Sequence, residues 1–574
     1  MLFCKLATLA TVVGLTAAAP EKSRSCRNLP GDRDWPKDRE WNAFNSSIGG
    51  RLIRGAPLAQ LCYGPNVDNA LCSKLQNTWG LVDPFLDSPI SVMSPYWQNN
   101  TCNPYASAGV SLDDISACKL GNMPTYAVNV SDASMVVAGV KFARDKNIRL
   151  VVKNTGHDFL GGSTGTGALS LWTHYLKDMT FVKKYTSSYY TGAAVKIGAG
   201  VQFQDLNAAA ARNGLRVVGG SCPTVGATGG WRQGGGHGPL SSAYGLGADQ
   251  ALEYEVVTVK GQQLNVSPKE NSDLFWAISG GGGGNYAVVL SATIKAHPDS
   301  RVVGSRLTFP NIYGEAFWTA VEAWQKHLLV LDTIPGFSSE ALISKDAFSV
   351  VVATLPGGDE AAMNKALAPF YQTLTQLNIT AVVNETAVQK SYVEHYDEYL
   401  GGVTFTRNLT LGGRLIPRSL VRDNKRLPEL TATFREMVSS SDTVVYLLGY
   451  NVSSKSAGVP PGYNAITPAW RDSLFLVNVG IIDSDRATSA ALGISLRRMN
   501  AWESRLRDLT PGGGAYGNEG TFNNPEWKVD YFGGTYDRLR SIKSKYDPNF
   551  VLYTQTGVGG DEFAQKSDGR LCKV

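Results

Sequence analysis

Several function classes are missing from this 574-residue chain at first reading. Past residue 20 no stretch approaches the ~18 consecutive apolar residues of a membrane-spanning helix, so a soluble chain without a membrane partner is expected. Neither Cys-x-x-Cys nor His-Glu-x-x-His occurs, and His174, His297, His327 and His395 share no ligand spacing, so no metal is expected. The Gly-Lys-Ser/Thr of a phosphate-binding P-loop is absent, which argues against a nucleotide triphosphatase. Charged residues make up 18% of the chain, and the net charge of +5 comes from interspersed rather than clustered lysines and arginines. No basic run and no arginine-aromatic interleaving points to nucleic acid.

What is present begins with an apolar run, Leu6 to Leu15, after Lys5 and before the small residues Thr16-Ala17-Ala18-Ala19. That layout reads as a signal peptide over 1–19 and predicts a secreted, extracellular or secretory-lumen product. Eight Asn-x-Ser/Thr sequons, at Asn45, Asn99, Asn129, Asn265, Asn378, Asn384, Asn408 and Asn451, fit a glycoprotein. Beyond Cys4, seven cysteines remain, an odd number that in an oxidising compartment marks one thiol with another task. Cys222 stands apart from the rest, and the other six (Cys26, Cys62, Cys72, Cys102, Cys118 and Cys572) suffice for three disulfides in any of fifteen pairings. A buried free thiol at Cys222 is the alternative.

The ~555 residues after the leader exceed one hydrophobic core, so two or more domains are expected. Residues 21–115, rich in Cys, Pro, Asn and Ser, read as a loop-heavy, disulfide-pinned section. Strands follow at 126–130, 148–152, 168–172, 195–199, 215–218, 253–260 and 286–296, with helices at 135–145, 205–213 and 273–278. Helices at 315–330, 360–377 and 419–439 then alternate with strands at 348–353, 444–449 and 474–481, which suggests an antiparallel sheet backed by helices. The strand through Asn478 is a candidate pocket floor.

Two glycine-dense loops carry nucleophiles: Thr155-Gly156-His157-Asp158 running on to Gly161-Gly162, and Gly219-Gly220-Ser221-Cys222-Pro223-Thr224-Val225-Gly226. Glycines let backbone N–H groups approach an anionic ligand, and an imidazole and a thiol could tether it from both sides; a flavin would suit. A third glycine run, Gly280 to Gly284, follows a helix and precedes a strand, the reverse of a dinucleotide-binding turn.

These motifs, with Gly234-Gly235-Gly236-His237-Gly238, Asp273-Leu274-Phe275-Trp276-Ala277, Tyr516-Gly517-Asn518-Glu519 and the tail from Tyr531 to Leu552, resemble the vanillyl-alcohol oxidase/para-cresol methylhydroxylase (PCMH) flavoprotein superfamily. Within it the chain looks like the secreted fungal berberine-bridge-enzyme-like oxidases, of isoamyl alcohol oxidase type. The likeness covers roughly 120–300 and 510–557 well and the middle poorly. It implies an α+β, two-domain flavoprotein with a discontinuous PCMH-type FAD-binding domain and an antiparallel-sheet substrate domain backed by helices. The expected boundaries are an N-terminal section at 20–118, the FAD-binding domain at 119–300, a substrate domain at 301–510 and a berberine-bridge-like module at 511–574.

The resemblance implies FAD bound bicovalently, through His157 at the 8α-methyl and Cys222 at a ring carbon; some relatives keep only the histidine bond. Cofactor-binding residues are expected at Thr155, Gly156, Asp158, Gly161, Gly162, Ser163, Val225, Gly226, Gly229, Gly230, Gly235, Gly236, Val256 and Asn518. His237 touches flavin or substrate, or is a structural histidine; Trp231 reads as packing. Tyr516 is the candidate base for a substrate hydroxyl, needing a cation or the flavin to lower its pKa of ~10, and Glu519 is the second candidate. The expected reaction oxidises a small-molecule alcohol to an aldehyde or ketone, with dioxygen as acceptor and hydrogen peroxide as product. The alternatives are oxidation or oxidative cyclisation of a polyketide or alkaloid natural product, and a binding protein without turnover.

Overall fold

The computed structural model describes residues 26–65, 67–98, 101–105, 112–401 and 408–574. The leader and the Asn99 sequon lie outside these residues.

Tyr126–Asn129, Leu169–Trp172 and Leu150–Lys153 form a parallel set with Leu169–Trp172 in the middle, and Leu52–Arg54 adds antiparallel at the edge. Parallel neighbours need a crossover, which helix Ala133–Asp145 supplies. Asp132 starts it by accepting the N–H groups of Ser134 and Met135. Val136, Gly139, Val140 and Ala143, three and four apart, form its buried face. Strand Leu150–Lys153 then hands the chain to the His157 loop. A second sheet is a five-stranded antiparallel one, in the order Met179–Thr186, Thr191–Gly198, Val288–Lys295, Ala251–Val257 and Gln263–Val266.

The third sheet has seven antiparallel strands, ordered Val383–Gln389, Val302–Pro310, Ala347–Pro356, Ser338–Ile343, Thr443–Tyr450, Ser473–Ile482 and Leu409–Pro417. Period-two alternation sorts its side chains onto two faces. Ala341, Ile343, Val445, Leu447, Val477 and Val479 pack into a core with helix residues Trp324, Phe370, Phe434 and Met499. Glu340, Tyr450 and Asn478 stand in the alternate register and turn toward the glycine loops.

After this sheet the chain returns to the first one. Lys543 and Asp547, one helical turn apart and wholly buried, pair at 2.6 Å. Lys543 also donates to the carbonyls of Asn285 and Leu552, and Asp547 accepts the N–H groups of Val551 and Leu552. Leu552 then bridges to Leu150 in parallel. A buried ion pair is tolerable only when its other bonding sites are filled, as they are here. Cys26–Cys572, Cys62–Cys72 and Cys102–Cys118 are bonded, and Cys222 is free, as parity suggested. The fold is α+β with two domains.

Local expectations fail in four places. The N-terminal section is not merely loops: Asp38–Ser47 and Asn69–Thr78 are helices. The helix expected over 419–439 is two, Arg418–Val421 and Arg426–Met437, because the Asp423 carboxylate accepts the N–H groups of Lys425 and Arg426 and begins a new turn. Only Leu215–Arg216 of the 215–218 strand pairs, against His297–Pro298. Strand Met179–Thr186 was not legible because its alternation is weak, with Lys183 and Lys184 on the surface.

Candidate active site

The two nucleophiles, 65 positions apart, meet at one hydroxyl. Thr224 Oγ1 lies 2.8 Å from His157 Nε2 and 3.5 Å from Cys222 Sγ. Gln202 holds Thr224 by donating to its carbonyl at 2.9 Å. Burial, with the charge of Lys153 added, pulls the His157 imidazole down to about 4, so it is neutral near neutral pH. Burial also pushes the Cys222 thiol up, against hydrogen bonds from the Thr224 hydroxyl and the N–H groups of Thr224 and Val225. Behind His157, Lys153 is fully buried, donating to the carbonyls of Phe85 at 3.2 Å and Leu86 at 3.5 Å; burial brings its ammonium down to about 7.

The loop that presents His157 is shaped by Asp158. Its carboxylate accepts the N–H groups of Leu160, Gly161 and Ser163 and the Ser163 hydroxyl. Asp158 and Ser163 thereby bond each other and close the loop on itself. Gly161 has φ +72°, and a Cβ there would overlap the Trp97 indole, so only glycine fits. Gly156 passes its carbonyl to the N–H of Met93, Gly162 packs on Thr554, and Thr155 is buried.

In the second loop, Gly226 and Gly229 lie against Asn154, and Gly230 begins a short helix whose carbonyl accepts from Asn518 at 2.9 Å. Gly235 and Gly236 accept the N–H groups of Ala248 and Gly247, bracing the turn that carries His237. Trp231 packs edge-on against Phe203, as expected of it. Val256 is fully buried in the five-stranded sheet's core, where its side chain packs against neighbours.

The opposite wall is a polar cluster within aromatic rings. His237 Nε2 sits 3.2 Å from Glu519 Oε1, and Asn478 Nδ2 donates to Glu519 Oε2 at 2.6 Å. Burial would lower the His237 imidazole, but the charge and hydrogen bond of Glu519, aided by Glu340, hold it above its ordinary value. Asn518 Nδ2 donates to the Tyr516 hydroxyl at 2.8 Å. Burial, then the Glu519 charge, pushes the Tyr516 phenol far above its ordinary value, so phenolate is disfavoured there. Glu340 accepts from the hydroxyls of Ser221 and Tyr450; burial raises its carboxyl. The rings of Tyr450, Trp470 and Tyr516 stand 5.0–5.8 Å from that of His237.

Thr224 was quoted in its motif without a role, and Glu340 and Tyr450 were missed altogether. The available signal for Glu340 was one carboxylate in the strand Ser-Ser-Glu-Ala-Leu-Ile. The remaining histidines are structural: His174 stacks on Trp172, His327 meets the Ala366 carbonyl, His395 the Thr354 hydroxyl, and His297 stacks on Tyr244. Among the described residues no three His, Cys, Asp or Glu come together to hold a metal, and no helix is long and apolar enough to cross a membrane. Asn265, Asn378 and Asn384 are exposed, whereas Asn408 is 5% exposed and bonded to Asp485.

A large anionic cofactor fits these walls. The Thr228 hydroxyl and His237 Nδ1 are buried without a hydrogen-bond partner, and Gly230 and Gly284 border open space. A family model for an FAD binding domain matches residues 124–267, and one described as berberine and berberine like matches 515–559. The class is thus that of the FAD-linked oxidoreductases. A VAO-type flavoprotein oxidase, VAO615, of Thermothelomyces thermophilus is 40% identical over 99% of both chains. The bifunctional decalin synthase calF of Penicillium decumbens is 37% identical over 100% of this chain and 99% of its own. The crystal structure of the VAO-type flavoprotein MtVAO615 from Myceliophthora thermophila C1 superimposes with a TM-score of 0.90 at 38% identity, covering 96% of this chain and all of the other. The chain belongs to the berberine-bridge-enzyme-like branch of the vanillyl-alcohol oxidase/PCMH superfamily, with that superfamily's FAD-binding domain.

Proposed function

We propose that this chain is a secreted oxidase that converts a CH–OH group of a small molecule to C=O, with dioxygen reduced to hydrogen peroxide. The observation that carries this reading is the Glu519 carboxylate, gripped by Asn478 and His237, in the cluster that Glu340 ties to Ser221 beside Cys222. FAD, which His157 and Cys222 would hold, would supply the hydride acceptor and a route for the electrons to dioxygen. Glu519 takes the hydroxyl proton of the substrate. His237 and Asn478 fix the direction of that carboxylate. Tyr516, kept protonated, donates a hydrogen bond instead of serving as base, and the rings of Tyr450 and Trp470 exclude water. Domain limits at 119–300, 301–510 and 511–574 suit this division of labour.

Glu519→Gln is the test. It keeps the shape and the Asn478 contact but removes the base, so kcat for peroxide release should fall by roughly 10²–10⁴ while FAD stays bound. Wild-type turnover in that variant would overturn the assignment.

A second reading, oxidation or ring closure of a natural-product intermediate, is favoured by the likeness to a decalin synthase. A peroxide-coupled screen of simple alcohols against polyketide alcohols separates the two. Secretion and N-glycans at the exposed Asn265, Asn378 and Asn384 would show as a glycosidase-sensitive mass in the culture medium.

A further inference from the structure

We propose that Thr224 is the proton relay through which Cys222 becomes bonded to the flavin, with His157 Nε2 as the terminal base. This rests on the reading of His157 and Cys222 as a double tether.

The geometry is specific. One hydroxyl stands between the two nucleophiles, 2.8 Å from the ring nitrogen and 3.5 Å from the sulfur. A threonine hydroxyl donates once and accepts twice, so it can take a proton from the thiol while passing its own to the imidazole. The sulfur also faces the N–H groups of Thr224 and Val225, which stabilise negative charge on it as the proton leaves. Gln202 fixes the backbone of Thr224, and Lys177 in turn donates to Gln202 at 2.9 Å, so the hydroxyl is held from behind. Through the relay the proton leaves the sulfur as the S–C bond forms, so neither a free thiolate nor an imidazolium has to persist in the buried site.

An imidazole alkylated through Nδ1 keeps a lone pair on Nε2, the nitrogen beside Thr224. The histidyl bond can therefore precede the second bond and still leave the base in place. In that second step the S–H and a ring C–H of the flavin are lost and an S–C bond forms. The two electrons released go with two protons to dioxygen, giving hydrogen peroxide. The sum is thiol plus ring C–H plus dioxygen yielding thioether plus peroxide. Thr224 returns to its starting state, acting as a positioning and relay residue.

The experiment compares wild type, Thr224→Val and Thr224→Ser by mass spectrometry of tryptic peptides from the purified, flavin-loaded proteins. Wild type should show the His157 and Cys222 peptides joined by one FAD. Thr224→Val should keep FAD on the His157 peptide, with the doubly linked species reduced by about tenfold or more and Cys222 recovered as an alkylatable thiol. Thr224→Ser, which keeps the hydroxyl, should restore the double link. The histidyl bond in Thr224→Val also certifies that this variant has folded. Full double linkage in Thr224→Val overturns the relay, and so does loss of FAD from both peptides. Wild type with FAD on neither peptide, or on His157 alone, sinks the double-tether reading itself, a failure distinct from that of Thr224.

Discussion

Along the wall made by loops 154–163 and 219–226, position is set by backbone: glycines, turn-forming carboxylates and N–H groups hold two nucleophiles on one hydroxyl. Along the wall made by the seven-stranded sheet, position is set by side chains, with Glu340, Tyr450 and Asn478 standing out from three different strands. The first wall suits a ligand common to a whole family, because backbone groups recognise it whatever the neighbouring side chains. The second can change its chemistry one side chain at a time without disturbing the sheet. On the proposed reading, cofactor and substrate specificity would be carried by different kinds of structure.

The contrast can be broken by substitution. The largest effect is expected from Gly161→Val, which forces a β-branched residue into φ +72° against Trp97. Stability should drop by about 3 kcal/mol or more, seen as a lowered Tm, and bound FAD should be lost. Glu340→Gln is expected to be milder: it weakens the grip on Ser221 and Tyr450, lowering kcat by roughly tenfold with FAD attachment unchanged. Should Glu340→Gln strip the cofactor while Gly161→Val retains it, the roles of the two walls are reversed.

The smallest effect concerns Glu503, on helix Ser489–Leu509 behind the sheet. Burial raises its carboxyl to about 7 from an ordinary 4.5, against hydrogen bonds from Thr521 and Gly413, with Asp530 adding to the rise. The folded state thus keeps a proton that the unfolded chain releases. Stability from this group is fullest below pH 4.5 and is lost as pH climbs toward 7. Glu503→Gln should flatten the decline of Tm between pH 5 and 8, a change of about 2 °C. An unchanged slope would remove Glu503 from the account.

The glycine-loop wall was readable in advance because its signals are local. Glycine clusters and the nucleophiles within them sit in short stretches, and parity singles out the cysteine. The sheet wall was not, since Glu340 meets Ser221 across 119 positions and Tyr450 across 110. Asn478 was reached only because its strand is long and evenly apolar. The protonation of Tyr516 was not legible, because neither its burial nor the field of Glu519 is visible in a string of letters. The loop-closing bonds of Asp158 and the burial of Asn408 emerge only in the folded chain.

The bridge between Cys26 and Cys572 turns nearly the whole polypeptide into a covalent circle of 546 positions. A protease that nicks any surface bend within it opens the circle without releasing a fragment. A protein so built can suffer a cut and still keep both ends of the break in one molecule.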